Sequence, residues 1–179
     1  MNTFKPNAEQ TIFQLEIAEI HHCVIRDTKP EWYLHDILHH NYYVYVYCMG
    51  GKGHYSLPSQ HKISICEGEA MLIPKGLQHS IKSDLEESWK FGSCVFALRN
   101  DIDAFGIIGP YRVSSKVQKL FSELFVDWIA KRPCYSMRCN GALLQMLSEL
   151  IERKYLSLKT KKVSQSNTIL KALSIIDHN

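Results

Sequence analysis

The segment Gly68-Glu69-Ala70-Met71-Leu72-Ile73-Pro74-Lys75-Gly76-Leu77-Gln78-His79 sets glycine, proline, glycine and histidine at the spacing G-x5-P-x-G-x2-H. Gly68 allows the turn into a short apolar strand, and Pro74 with Gly76 makes the next tight turn. His79 then stands at the start of another strand, pointing inward. Upstream, Tyr42–Cys48 is the strongest strand pattern in the chain, wholly β-branched or aromatic up to its last residue. Phe13, Leu15 and Ile17 alternate with polar or small residues, the period of a half-buried strand. Further short strands are expected at Tyr55–Leu57, Ile63–Cys66, Ala70–Ile73, His79–Lys82 and Trp89–Leu98. Many short strands with regular turns predict a β-sandwich or small barrel.

After Gly109-Pro110 the apolar period changes. Ser115-x-x-Gln118 reads as a capping box, and Val117, Leu120, Phe121, Leu124, Phe125 and Trp128 then recur at helical spacing. Lys131 and Arg132 suit the negative end of that helix and Pro133 stops it. A second helix is expected at least from Gly141 to about Leu158. A polar stretch, Lys159–Ser166, then precedes a last helical pattern capped by Asn167. The chain therefore divides into a β unit over 1–110, a helical unit over 111–158, and a linker with one further helix over 159–179.

The 179 residues are 45% apolar and 22% charged, with mean hydropathy −0.19. No apolar run approaches the ~20 residues of a membrane span, and the first residues have no apolar core of a secretory signal. A cytoplasmic protein without a membrane partner is expected. The net charge of +3 lacks the basic stripe of a DNA-binding surface. Lys159, Lys161 and Lys162 form the one basic cluster and read as solvated linker. Six scattered cysteines without a Cys-x-x-Cys pair are expected to be reduced and mostly buried, which excludes a zinc ribbon and a disulfide scaffold.

The G-x5-P-x-G-x2-H spacing resembles the second conserved motif of cupin barrels. The first cupin motif is degraded here. His39 or His40 stands for its second histidine, the first falls on Ile37 or Leu38, and its glutamate falls on Tyr43 or Val44. Two of the four ligands of a cupin metal set therefore remain, His79 and one of the His39-His40 pair, with His35 and His54 as other imidazoles. A catalytic zinc or iron site needs about three protein ligands, so neither metal nor other cofactor is expected.

A cupin segment followed by two long helices, a polar stretch and Asn167-Thr-Ile-Leu-Lys-Ala-Leu-Ser-Ile-Ile-Asp-His-Asn179 resembles the N-terminal regulatory half of AraC/XylS-type transcriptional regulators. The resemblance implies a mainly β, cupin-like (double-stranded β-helix) barrel with a C-terminal helical pair, binding a small-molecule effector such as a sugar. It also implies a homodimer that reaches operator DNA through a C-terminal helix-turn-helix region of about a hundred residues, of which this sequence holds the first helix at most. No enzyme activity is expected on this reading. A small metal-dependent cupin isomerase or dioxygenase is the alternative, and a dimeric structural module with an unused pocket is a third.

Strand alternation places Tyr42, Val44, Val46 and Cys48 on one face and Tyr43, Tyr45 and Tyr47 on the other. The cupin glutamate position is an inward one, so if Val44 occupies it the Val44 face lines an effector pocket; the alternative is that Tyr43, Tyr45 and Tyr47 line the interior and fill it. His39, His40, His79 and Trp89 would supply polar or stacking partners. On the second helix the apolar arc spans about 180°, wider than the ~100° that one packing contact needs. Leu143, Leu147 and Leu150 are therefore expected to meet their copies in a two-fold dimer, with Lys154 at the edge of the contact; the alternative is that the barrel itself covers both sides of the helix.

Overall fold

A computed structural model describes residues 15–59, 61–99, 106 and 108–176, with side chains as far as residue 157. Among the described residues nine strands run β1 (Ile17–Asp27), β2 (Tyr33–Ile37), β3 (Tyr43–Gly50), β4 (Lys52–Ser56), β5 (Lys62–Cys66), β6 (Glu69–Ile73), β7 (His79–Ser83), β8 (Lys90–Leu98) and β9 (Ile108–Arg112). They form a five-stranded sheet, β1-β8-β3-β6-β9, facing a four-stranded sheet, β2-β7-β4-β5. The pairs between these neighbouring strands are antiparallel. The fold is a cupin-type β barrel with C-terminal helices.

The alternation of β3 decides which side of the five-stranded sheet meets what. Val44, Val46 and Cys48 face the second sheet, in one apolar cluster with Tyr55, Ile65, Met71, Ile73, Ile81, Trp89, Phe91 and Val95. Tyr43, Tyr45 and Tyr47 face outward, where two helices cover them. α1 (Ser115–Ala130) and α2 (Tyr135–Ile176) pack on that outer face through Val117, Phe121, Leu124, Leu143, Met146, Leu147 and Leu150. The helix can approach so closely because Gly92 of β8 has no side chain, and a Cβ there would collide with the Phe121 ring. Each sheet face thus has its own core.

The motif turns are as expected, with Gly68 at φ 78° and Gly76 at φ 73°, both in the left-handed region. Several boundaries differ from the sequence reading. β1 runs much further than expected, to Asp27, while residue 13 lies outside the described residues. β2 was not expected, since four of its five residues are exposed and show no alternation. β9 contains Gly109-Pro110, which reads as a breaker in sequence. The helix cap is Ser114, one residue before the expected Ser115, and its hydroxyl bonds Glu149 instead of capping its own helix. α2 begins at Tyr135, earlier than Gly141, and its backbone continues through 159–166 without a break, where a linker was expected. The side chains of Lys159, Lys161, Lys162 and Asn167 lie outside the described ones.

The dimer reading of α2 needs correction. Leu143, Leu147 and Leu150 have no exposed surface in the single chain, because the outer sheet face and α1 already enclose the wide apolar arc. They cannot meet their copies without unfolding the hairpin. Lys154 is half-buried near the end of the described side chains. Among the described residues, the large apolar side chains that the hairpin does leave open are Val126, Ile129, Met137 and Leu156.

Candidate functional site

The seven residues expected to line an effector pocket separate into two groups. Val44, Val46, His79 and Trp89 do share the inner face, but they stand in a filled interior. Trp89 is fully buried, stacked on Phe91 at 4.0 Å between ring centroids and met edge-on by Tyr55 and Trp32. Its indole lies where any side chain at position 53 would be, so Gly53 is part of its seat. Among the described residues its Nε1–H has no oxygen or nitrogen partner, and it points to the Cys48 thiol. Expected as a stacking platform for a ligand, Trp89 is instead the plug of the barrel, because Phe91 stacks on it, Tyr55 and Trp32 meet it edge-on and the Gly53 backbone lies against its ring. Val46 is equally enclosed, at 1% exposure.

His79 is 4% exposed and tilted against Tyr55. Its Nδ1 lies 2.9 Å from the Leu77 carbonyl oxygen and must donate to it, which leaves Nε2 without a proton in the neutral ring. Burial holds its pKa below the usual histidine value. A cupin metal would need Nε2 of His79 with a second imidazole and a carboxylate. The carboxylate position is taken by buried Tyr43 or Val44, and among the described residues no three His, Cys, Asp or Glu side chains form a group that could hold a metal. His54 is engaged elsewhere, between Asp84 at 2.7 Å and Ser64 at 3.0 Å. The residues present do not fit a cupin metal.

His39, His40 and Tyr42 form the second group, and they line an open cleft at the mouth of the barrel. Its volume is about 450 Å³, and His21, His22, Leu38, Asn41 and Val95 complete it. Val95 reaches it from the barrel interior, so the cleft opens onto the inner core. β1 supplies His21 and His22 next to a register shift between Ile20 and His22, which lets two consecutive side chains reach the same space. The loop before β3 supplies His39 and His40. It is tied to the motif turn by the Gly76 amide, which donates to the His39 carbonyl at 2.8 Å. The His21 ring stacks on Tyr42 at 4.7 Å, and the Tyr42 hydroxyl donates to Glu19 at 3.1 Å. His39 is half-buried, and burial, then the positive charge that His79 and His21 would carry, push its pKa down.

His21 and His22 were not singled out from sequence. The available signal was the recurrence of a histidine doublet, His21-His22 and His39-His40, in a chain with nine histidines. A second cleft, of about 600 Å³, lies where β5, the Pro74–Leu77 turn and Gly109-Pro110 of β9 approach one another. Among the described helices none is long and apolar enough to cross a membrane.

No protein-family model and no curated protein matches the sequence. Among solved structures, the chain is similar to apo ToxT K231A from Vibrio cholerae, at 13% identity and a TM-score of 0.55, over 74% of this chain and 56% of that one. It is also similar to YhaK from Escherichia coli, at 12% identity and a TM-score of 0.45, over 51% and 42% of the two chains. A mutant oxalate decarboxylase OxdC from Bacillus subtilis matches at 22% identity and a TM-score of 0.35, over 46% and 22%. The chain spans about half the length, or less, of these three structures.

Proposed function

We propose that this chain is the effector-sensing half of an AraC-type transcriptional regulator, with the histidine-lined cleft as the place where a small molecule enters and binds. The observation that carries this reading is the joining of barrel and helices into one body. The helical hairpin seals the outer face of the five-stranded sheet through one shared core, from Cys23 and Tyr45 to Leu150 and Ile151. The similarity to ToxT, an AraC-family regulator, extends over 74% of the chain and supports the same reading.

The mechanism is one of differential affinity. An effector in the cleft contacts β1 and the loop before β3, and β1 also packs against both helices. Any preference of the ligand for one setting of β1 shifts how the hairpin presents α2 to whatever follows it. On this proposal the regulator is cytoplasmic, works as a homodimer, holds operator DNA through a helix-turn-helix region outside this sequence, and catalyses no reaction. The dimer contact falls on three of the hairpin's open apolar residues, Val126, Ile129 and Met137, where a bidentate Asp127–Arg138 ion pair ties the two helices together.

Chromatin immunoprecipitation of the epitope-tagged gene product tests the reading. Enrichment at discrete promoter regions, with changed transcription of the adjoining genes on deletion, is the expected result. A protein without enriched sites that purifies with stoichiometric iron, manganese or zinc would instead be a cupin enzyme.

A further inference from the structure

The lining of the cleft restricts what it can hold. Among the described residues no lysine, arginine or carboxylate lines it, and its polar groups are imidazoles, the Asn41 amide and the Tyr42 phenol. Glu19, the acid of β1 nearest by contact, already accepts from Tyr42. The titratable groups facing His39 are His21, His22 and Glu19 from β1, His40 from its own loop, Tyr42 from the start of β3 and His79 from β7. Several imidazoles close enough to repel one another when protonated form a site that a neutral ligand leaves unused and an anion completes. Leu38 and Val95 add an apolar wall, which suits the hydrocarbon body of an organic acid better than the fully polar surface of inorganic phosphate.

We propose that the cleft binds a small organic carboxylate, with His39, His21 and His40 donating to the carboxylate and Leu38 and Val95 packing its hydrocarbon part. This deepens the effector-domain reading only in naming the effector's class, since binding is measured on this chain whatever its role in transcription. It also replaces the sugar expected from sequence. Binding takes up a proton, because the carboxylate is best met by imidazolium, and His39 resists protonation in the empty cleft through burial and through His79 and His21.

Histidine ring signals followed by NMR at pH 6, 7 and 8 and constant ionic strength provide the experiment, with acetate, butyrate and glutarate as probes and glutaramide, glucose, phosphate and zinc as controls. The expected result is a saturable shift of the His39, His21 and His40 rings by at least one carboxylate, with affinity rising up to about tenfold per unit of falling pH. His40→Gln, at an exposed position, is expected to weaken binding severalfold while the melting temperature holds, and His39→Gln to flatten the pH dependence as well. Four outcomes would overturn the proposal: no saturable shift by any carboxylate at pH 6, equal affinity across the pH range, glucose, glutaramide or phosphate binding as well as the acids, or stoichiometric zinc on the same rings. Carboxylate binding without promoter occupancy would leave this inference standing and remove the regulator, and the reverse result would do the opposite.

Discussion

Glu149 holds Ser114 with both carboxylate oxygens, one accepting from the Ser114 amide at 2.6 Å and the other from its hydroxyl at 2.7 Å. The pair joins the first residues of the hairpin to the middle of its second helix, and Arg153 flanks the same carboxylate at 3.6 Å. Burial alone would raise the Glu149 pKa, but the Ser114 bonds and Arg153 outweigh it and hold the pKa below its usual value. Glu149→Ala leaves the Ser114 amide without its acceptor and is expected to destabilise the chain by about 1–3 kcal/mol. Because the folded pKa is depressed, this contribution is complete above the ordinary glutamate range and fades as pH falls through the lower folded value. Thermal melts at pH 7 and pH 3 check it. An unchanged melting temperature at pH 7, or an equal loss at both, would remove the assignment.

Gly53 and Trp89 give a second prediction. The indole occupies the space a Cβ at position 53 would need, and the ring is fixed at its backbone by Thr28 and Ser83, so it has nowhere to move. Gly53→Ala is expected to destabilise by about 3 kcal/mol, the upper part of the range for overfilling a packed core. Near-ultraviolet circular dichroism reports the indole directly, and its Trp89 signal should weaken. A Gly53→Ala protein with native stability and spectrum would mean that the barrel has room beside Trp89, and the ligand-stacking role expected from sequence would return.

The two sheet faces were legible from residues 42–48 alone, since strict alternation assigns Val44 to one face and Tyr45 to the other whatever the rest of the fold. The motif turns followed from residue chemistry as well. Other features depended on tertiary context that no local pattern carries. Leu143, Leu147 and Leu150 make the same wide apolar arc whether a second chain or the same chain covers it, and here it is the latter. β2 has an exposed, unpatterned sequence and is a strand because β7 pairs with it. Trp89 and His79 were placed on the correct face, but whether that face encloses a cavity or a packed core depends on side chains from six other strands. The register shift that turns both His21 and His22 to the cleft has no local sequence signature at all.

Buried Leu147 makes the third prediction a reversal of what the helix pattern alone suggested. Leu147→Asp places a carboxylate in the core shared by both helices and the sheet and is expected to unfold the chain, not to release a folded monomer. Leu147→Ala should cost about 3–5 kcal/mol through the cavity it leaves. Oligomerisation is instead expected to respond to Ile129→Glu with Met137→Glu, at positions 63% and 72% exposed. Light scattering with a thermal melt on each variant separates the cases. A dimer that survives the surface pair, or a folded monomer from Leu147→Asp, would place the contact elsewhere.

The last prediction concerns acid. His79 is buried as a neutral ring with one proton, committed to the Leu77 carbonyl, and burial lowers its pKa below the 6.5 of a free imidazole. His39 is lowered as well, by burial and then by the charge of His79 and His21. Above about pH 6.5 both folded and unfolded forms are neutral at these positions, so neither histidine makes stability depend on pH there. As pH falls below it, the unfolded chain takes up protons that the folded chain resists, and stability drops until the folded pKa values are reached. Each histidine contributes a slope of at most about 1.4 kcal/mol per pH unit within that window. Urea melts at intervals between pH 8 and pH 5 should therefore show a plateau and then a decline. His79→Asn retains an amide donor for the Leu77 carbonyl while removing the titration. It is expected to lose some stability at pH 8 through its smaller volume, yet to decline less steeply than wild type between pH 6.5 and 5. A carboxylate that binds the cleft should also soften the wild-type decline, by stabilising the protonated form of His39 in the folded chain. If His79→Asn kept the full wild-type slope, the acid sensitivity would belong to other groups and His79 would have to be accessible to protons in the native barrel.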